Sequence, residues 1–398
     1  MQSSPGADAS ASEPSRTSNP SRPYIGGQAV LEGVMMRSPS SVAIAVRRAD
    51  GSISLRERPM SKGPSKWAKI PLVRGMATLV ESLRLGSEAL RFSADLYEKD
   101  MLAAEQAAEA EKKASIVAKT TNALTFALKG FGISLAQLVS RADSDPTSSS
   151  EGESRAPNTM ALMTIVAVAF MIALPQLLAW GATSAFHLDL DIRSPQFQAL
   201  TGVFKLVVVL GYLLLIRRVP EIRRVFQYHG AEHKTISAYE AGEELLVENA
   251  KRKTTLHPRC GTTFLVLTVL VSIVVWTALG PLLPKVGGPK IVEQLAFIAM
   301  KVPFLPVLAG ITFELQRFTA RYCMTGPLRA LLVPGFLVQK ITTIEPDDDQ
   351  LEIALASMRA TIWREEVGDQ TALPRESNEI LAFPSYEALV EAPGLRAA

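Results

Sequence analysis

Four side chains that can bind a metal ion lie close together near the middle of the chain. They are His229, His233, His257 and Cys260, which are three of the four histidines and one of the two cysteines. Imidazole nitrogen and thiolate sulfur are ligands that zinc prefers in proteins. Four protein ligands close the coordination sphere of zinc, whereas three leave one position for chemistry. The stretch therefore predicts a divalent metal site, with zinc as the expected ion.

A glutamate stands within the first half of this stretch, which reads HGAEH. On a helix, His229 and His233 lie one turn apart on the same face, so both imidazoles can reach one ion. The spacing H-x-x-E-H matches the inverted zinc-protease motif, in which the glutamate is the general base that activates water. We therefore expect Glu232 to be catalytic. Polar packing of these residues at a membrane face and catalysis without a metal are the open alternatives.

Two further acids are candidates for the same site. Glu314 falls near the end of a long apolar block, where an acid is costly and is a functional candidate by default. A salt bridge from Glu314 to Arg317, one helical step away, is the alternative. Glu32 is the one acid in the glycine-punctuated run IGGQAVLEGVMMR. This run predicts a strand or loop that packs on a small domain, or a segment that turns Glu32 or Arg37 toward the site.

Apolar residues are concentrated after residue 159, and 47% of the chain is hydrophobic whereas 20% is charged. A bilayer core of about 30 Å needs roughly 20 apolar residues in a helix. The blocks of about this length are Met160–Trp180, Ala199–Ile216, Thr262–Leu283 and Leu295–Leu315. Prolines in the fourth block predict a kinked helix, and Lys301 within it is predicted to snorkel to an interface. A fifth stretch, Leu124–Val139, is interrupted by Lys129 and is predicted to be interfacial or re-entrant.

Basic residues flank these blocks unevenly. They follow the second block and precede the third, at Arg217, Arg218, Arg223, Arg224, Lys251, Arg252, Lys253 and Arg259. The loop between the first two blocks instead contains Asp189 and Asp191 beside Arg193. The positive-inside rule therefore predicts that residues 217–261 and both termini are cytoplasmic in a multi-pass membrane protein. A net charge of +3 carries little information about partners. The lipid bilayer is the expected partner, and no nucleic-acid partner is expected.

Soluble segments precede the membrane domain. Residues 1–22 are rich in Ser, Pro and Ala and are predicted to be a disordered tail. Within residues 23–100, alternating runs over Val42–Arg56 predict a β-hairpin with a tight primed turn at Asp50-Gly51. Ile70–Leu96 has the spacing of an amphipathic helix. The predicted fold is mainly α, with about four membrane spans and a small N-terminal cytoplasmic α+β region that contains the hairpin.

The other segments complete the predicted organisation. Residues 101–158 are expected to form a charged helical arm, the interfacial stretch and a linker, ahead of a membrane domain over 159–345. Residues 346–398 are expected to form a cytoplasmic helix and a weakly ordered tail. The acidic run Asp347–Asp349 predicts the start of that helix, where the helix dipole stabilises negative charge. A divalent cation site with oxygen ligands is the alternative for this run.

Six uninterrupted segments carry a resemblance to a known family. They are Gly26–Arg37, Ile70–Gly75, Arg223–Asn249, Leu256–Leu265, Gly310–Phe318 and Gln339–Ala354. In these segments the chain resembles the YqhQ-like family of bacterial polytopic membrane proteins, which are labelled as predicted metal-dependent enzymes. The resemblance implies a location in the bacterial cytoplasmic membrane and a metal site. The site positions that it implies are His229, Glu232, His233, His257 and Cys260, with Glu32 and Glu314 as further candidates.

Three functions follow from these observations. The first is a metal-dependent hydrolase at the cytoplasmic face of the membrane, although no residue indicates its substrate. The second is a membrane scaffold without enzymatic activity, in which the metal site is structural. The third is a transporter in which Lys205, Lys301 and Glu314 line a path; the intramembrane charges are few, which ranks this function last.

Overall fold

The computed structural model describes residues 22–60, 70–112, 172–188, 190–323, 326–367, 380–392 and 395. The predicted N-terminal tail lies almost entirely outside these residues. The predicted interfacial stretch, the linker and the larger part of the first apolar block also lie outside them.

The soluble part of the protein is built on a five-stranded antiparallel sheet in the order β1-β2-β3-β4-β5. Its strands are β1 (Gly26–Val30), β2 (Gly33–Arg37), β3 (Ser41–Arg47), β4 (Ile53–Pro59) and β5 (Leu381–Phe383). Side chains of a strand alternate between the two faces of a sheet. In β3, Ala43 and Ala45 join one buried cluster, whereas Val42 and Ile44 join another. The sheet is therefore covered on both faces.

The predicted hairpin is confirmed by the pairing of β3 with β4. Its turn is longer than expected. Arg48 donates its N–H to the Ser52 carbonyl at 2.8 Å, so the turn contains three residues, Ala49 to Gly51, rather than two. Gly51 has a φ of 86°, but Asp50 lacks the positive φ that type I′ and type II′ turns both require at their first central residue. The prediction of a tight primed turn was wrong for this reason.

The helices of the soluble part follow the strands. They are α1 (Val73–Lys112), α4 (Pro220–Glu240), α5 (Val247–Lys251), α10 (Asp348–Val367) and α11 (Tyr386–Glu391). Leu85 and Phe92 of α1 pack on one face of the sheet. Leu355 of α10 and Tyr228 of α4 pack on the other face, in the larger apolar cluster. Segments from both ends and the middle of the chain therefore form one packed body.

The acidic run near the C-terminus begins a helix, as predicted. α10 has Asp348 and Asp349 in its first turn, and Asp347 donates its N–H to the Gln350 side chain at 2.9 Å. The segment after α10 departs from the prediction of a weakly ordered tail, because β5 pairs with β4 and α11 follows it. A strand of three residues has too short a pattern to be recognised in the sequence.

The helices of the membrane part are α2 (172–185), α3 (Pro195–Ile216), α6 (Gly261–Leu279), α7 (Lys290–Lys301), α8 (Leu305–Tyr322) and α9 (Val333–Thr342). Three segments in the described residues are long and apolar enough to cross a membrane: Pro195–Ile216, Gly261–Leu282 and Ile291–Tyr322. The described part of the first predicted block is α2. The kink predicted in the fourth block is present, since a 3-10 turn with Pro303 separates α7 from α8.

Lys301 does not snorkel, so this prediction was wrong. Its side chain is buried, and Nζ donates to Gln198 at 3.0 Å and to Gln176 at 3.3 Å. Lys205 donates in the same way to Ser272 at 3.2 Å. Polar groups among apolar helices are held by partners on neighbouring helices, because no water is available there. Both lysines of the suggested transport path therefore have hydrogen-bond partners within the helix bundle.

Candidate metal centre

The H-x-x-E-H motif lies on α4, which is separated from the end of α3 (Ile216) by three residues and has a proline in its first turn. The helical spacing predicted for His229 and His233 is therefore present. Gly230 lets this helix approach the segment after α9 closely, because a Cβ at this position would lie 2.1 Å from the Ile344 carbonyl oxygen. Ile344 also donates its N–H to the Phe226 carbonyl at 2.9 Å. This contact brings the end of α9 against the first histidine.

Both imidazoles on α4 are oriented by backbone carbonyls. Nδ1 of His229 lies 2.9 Å from the Thr342 oxygen, and Nδ1 of His233 lies 2.5 Å from the Thr255 oxygen. A carbonyl oxygen can only accept a hydrogen bond, so each ring carries its proton on Nδ1. This leaves Nε2 of each ring as the atom that can bind a metal. The same arrangement orients histidine ligands in known metal sites.

Cys260 provides the third converging atom. Its Sγ lies 3.1 Å from Nε2 of His229, and a nitrogen of each histidine and this sulfur all lie within 4.8 Å of one another. Cys260 is the N-cap of α6, where Sγ accepts a hydrogen bond from the N–H of Thr262 at 3.4 Å. Gln316 of α8 donates to the carbonyl of Cys260 at 2.9 Å. The three ligand candidates are hereafter called the His/Cys cluster.

The electrostatics of the His/Cys cluster favour a thiolate. Burial alone would raise the pKa of Cys260, but His229 and His233 outweigh it and hold that pKa well below the usual thiol value. Burial likewise opposes a charge on His229, but the facing thiolate raises the pKa of this imidazole to about 9. A helix N-terminus adds to the stabilisation of a thiolate. These two shifts favour a thiolate on Cys260 that faces an imidazolium on His229.

Glu232 lies beside the cluster and faces β1. The carboxyl group is buried and accepts a hydrogen bond from the N–H of Ala29. Burial raises its pKa, while His229 and His233 act in the opposite direction. Gly27 makes room for this side chain, since a Cβ there would lie 2.7 Å from Cγ of Glu232. Sequence reasoning missed Gly27, and its only signal was the pair of glycines that opens the strand.

His257 lies next to the cluster but is not one of the three converging residues. Its ring centroid is 5.6 Å from that of His233, and its Nε2 lies 3.6 Å from a carboxylate oxygen of Glu240. Burial lowers the pKa of His257 to about 4, so the ring is neutral and this approach is not an ion pair. Glu240 is paired with Arg259 instead. Gln339 fixes the backbone of His257 by accepting from its N–H at 2.8 Å.

Glu32 and Glu314 are held elsewhere. Glu32 has a φ of 51° in the β1–β2 turn; its carboxylate pairs with Arg224 at 2.5 Å and accepts a hydrogen bond from Tyr228 at 3.2 Å. It therefore contacts α4 ahead of the motif rather than the cluster. Glu314 accepts from Arg74 of α1 at 2.7 Å, not from the neighbouring Arg317 as the helical spacing suggested. Neither acid belongs to the group that could hold a metal in the described residues.

The fold and this site define a mainly helical protein with span-capable helices and a buried cluster of two histidines and one cysteine beside them. The chain belongs to the family described as "Protein of unknown function (DUF1385)", whose model matches residues 70–364. It is 32% identical over 355 residues to "Uncharacterized protein YqhQ" of Bacillus subtilis (strain 168), which covers 88% of this chain and 96% of that protein. The resemblance drawn from the sequence segments is thereby confirmed. No solved structure matches the chain.

Proposed function

We propose that the protein is a multi-pass membrane metalloprotein in which His229, His233 and Cys260 hold one divalent ion, with zinc as the ion that this donor set favours. The observation that carries the proposal is the orientation of the histidines. Both Nδ1 atoms are occupied by backbone carbonyls, while a nitrogen of each ring and the Cys260 sulfur lie within 4.8 Å of one another. Imidazole nitrogen and thiolate sulfur are both ligands that zinc takes in proteins.

The proposed activity is hydrolysis. A bound zinc ion would act as a Lewis acid toward an oxygen atom of the substrate. Glu232 supplies the acid–base group, because its carboxyl lies next to both histidines and is shielded from bulk solvent by β1. Its hydrogen bond from Ala29 fixes the position of the carboxyl group, which can then accept or return a proton at a defined place. Three protein ligands leave one coordination position for the substrate.

A structural metal site in a membrane scaffold is the second candidate, and one observation favours it. The His/Cys cluster joins the middle of α4 to the start of α6, and His233 and Cys260 are 1% and 6% exposed. An ion bound there would tie α4 to the start of the span that begins at Gly261. His257 could add a fourth ligand, because its Nε2 is buried and has no hydrogen-bond partner within the described part of the chain. Four ligands would close the site.

The site is proposed to face the cytoplasm. The basic residues between α3 and α6 support this orientation through the positive-inside rule. Reporter domains fused after Leu282 and at the C-terminus test it in bacterial cells. With a reporter that is active only in the cytoplasm, we expect the C-terminal fusion to be active and the fusion after Leu282 to be inactive. The opposite pattern would reverse the orientation.

Elemental analysis of the detergent-purified protein tests the metal proposal. We expect one zinc ion per chain in the unmodified protein and loss of that metal in His229→Ala and Cys260→Ala. Matched controls exist for both changes: Cys323 is a second buried free cysteine, and His187 is a histidine outside the cluster. Cys323→Ala and His187→Ala should keep the metal. The proposal would be refuted if the unmodified protein and both controls lacked a stoichiometric metal ion.

A further inference from the structure

A cavity of about 350 Å³ lies next to the His/Cys cluster, between the residues that precede β1 and the last turns of α8. Its lining includes Tyr24, Arg259, Phe313, Gln316, Arg317 and Arg321. Three guanidinium groups therefore share the cavity with two aromatic rings. Binding sites for small molecules typically combine apolar walls with a few convergent polar groups. This lining suits a ligand that has an anionic group and an apolar part.

The positive charge of the cavity exceeds what the neighbouring acids neutralise. Arg259 pairs with Glu240, and its guanidinium lies 4.8 Å from the centre of the Tyr24 ring. Arg317 and Arg321 lie one turn apart on α8, and neither forms a salt bridge within the described ranges of the chain. Arg317 acts on Glu314 only electrostatically, and the Arg321 guanidinium lies 5.5 Å from the centre of the Tyr322 ring. The nearby acid Glu314 is already paired with Arg74. Two arginines thus remain to bind an external anion, for which a phosphate group is the natural bidentate partner.

The cavity lies at the end of the third candidate span. α8 completes the third candidate span, which ends at Tyr322. Phe318 and Tyr322 on this helix are 48% and 57% exposed. Exposed aromatic side chains at the end of a span are typical of the membrane–water interface. Basic pockets between helices at that level bind the headgroups of anionic lipids.

The cavity and the His/Cys cluster share a wall. Gln316 lines the cavity and also donates to the carbonyl of Cys260 at 2.9 Å. Arg259, which lines it too, directly precedes Cys260 in the chain. A molecule held by the arginines would therefore lie beside two residues that contact or directly precede Cys260.

We propose that this cavity binds the phosphate group of an anionic phospholipid and presents that lipid to the metal centre. The first part depends only on the cavity. The second part rests on the proposed function, because it makes a phospholipid the substrate class of the metal site. The arginines supply the phosphate contacts, and the exposed aromatic face of α8 accompanies the acyl chains.

Native mass spectrometry of the detergent-purified full chain tests the first part, with phosphatidylglycerol and phosphatidylcholine as probes. We expect phosphatidylglycerol to bind more tightly than phosphatidylcholine. In the double variant Arg317→Gln/Arg321→Gln the affinity for phosphatidylglycerol should fall roughly 30-fold, as the loss of two basic groups near a membrane surface implies. Arg329→Gln is the matched control, because it removes an exposed arginine beyond the same helix. It should bind like the unmodified protein.

Two further measurements keep the outcomes distinct. Arg317→Lys/Arg321→Lys retains the charges and should keep more affinity than the glutamine variant, provided that both variants melt at the same temperature as the unmodified protein. Equal phosphatidylglycerol affinity in the glutamine variant and the unmodified protein would overturn the inference. Displacement of the lipid by an equal concentration of inorganic phosphate would also overturn it, in favour of a soluble ligand. Metal content is measured on the same samples, so arginine-dependent lipid binding without metal would refute the proposed function alone.

Discussion

The close contact between β1 and Glu232 gives a direct test of how the sheet positions the site. A Cβ at Gly27 would lie 2.7 Å from Cγ of Glu232 and 2.9 Å from its carboxyl group. At the adjacent Gly26, the nearest atom to an added Cβ would be 3.8 Å away on the Tyr24 ring, which is an ordinary contact. Gly27→Ala should therefore displace the glutamate or the strand, whereas Gly26→Ala should displace neither.

The expected size of the effect follows from overpacking. Inserting a methyl group into a filled interior costs about 1–3 kcal/mol, and a substitution that meets no clash changes stability by roughly 0.5 kcal/mol or less. Thermal unfolding of the purified protein in detergent, followed by tryptophan fluorescence, should show a lower melting temperature for Gly27→Ala only. Each kcal/mol corresponds to roughly 2–4 °C for domains of about 150–250 residues, and the shift becomes smaller as the chain becomes longer.

A double-mutant cycle tests whether the named contact is the cause. Glu232→Ala removes Cγ, so the penalty of Gly27→Ala should largely vanish in that background. The reasoning would be refuted if Gly27→Ala and Gly26→Ala were equally stable. It would also be refuted if the penalty of Gly27→Ala persisted without the glutamate side chain.

Three more predictions concern the body around the site. Glu57→Gln should lower the free energy of unfolding by about 3–5 kcal/mol, because it removes the negative partner from a buried ion pair with Arg364 whose side chains are 7% and 8% exposed. Unchanged denaturant unfolding would contradict this. Gly230→Ala should separate α4 from the Ile344 carbonyl and reduce metal content in elemental analysis, and full metal occupancy would contradict the packing argument. Zinc affinity, measured with a competing chelator, should rise with pH up to about 9, because His229, with a pKa of about 9, must lose its proton to bind a metal. An affinity that does not depend on pH between 6 and roughly 9 would contradict the pairing of His229 with Cys260.

Local patterns predicted those features that a single helix or turn determines. The shared face of His229 and His233 and the start of α10 at the acidic run depend on neighbours within one helical turn, so spacing was sufficient. The hairpin was also predicted, although its turn was not, because several loop lengths suit an Asp-Gly pair.

The spacing of residues in the sequence could not predict contacts between distant segments. The alternative to a functional role for Glu314 was a salt bridge to a residue three positions away, but its partner is Arg74, 240 positions earlier in the chain. His257 and Cys260 are close in sequence, yet the backbone held by Gln339 directs the His257 ring toward Glu240. Packing of separate segments decides such pairs, and a periodic pattern carries no information about it.

Glu232→Gln is the change that separates a catalytic site from a structural one. The amide has the same shape as the carboxyl group, so it still fills the space at Gly27, and its oxygen can still accept the N–H of Ala29. Melting temperature and metal content should therefore be unchanged. What the amide loses is the ability to take up a proton, on which the proposed hydrolysis depends.

Complementation of a strain that lacks the gene then decides between the two functions. A metal-loaded, stable Glu232→Gln protein that fails to complement supports an enzyme, whereas full complementation supports a scaffold. His233→Ala is the necessary comparison, because it should lose the metal under both functions. His233→Ala could fail to complement while Glu232→Gln complements fully. In that case the metal serves to join α4 to α6, and the carboxyl group of Glu232 only packs against β1.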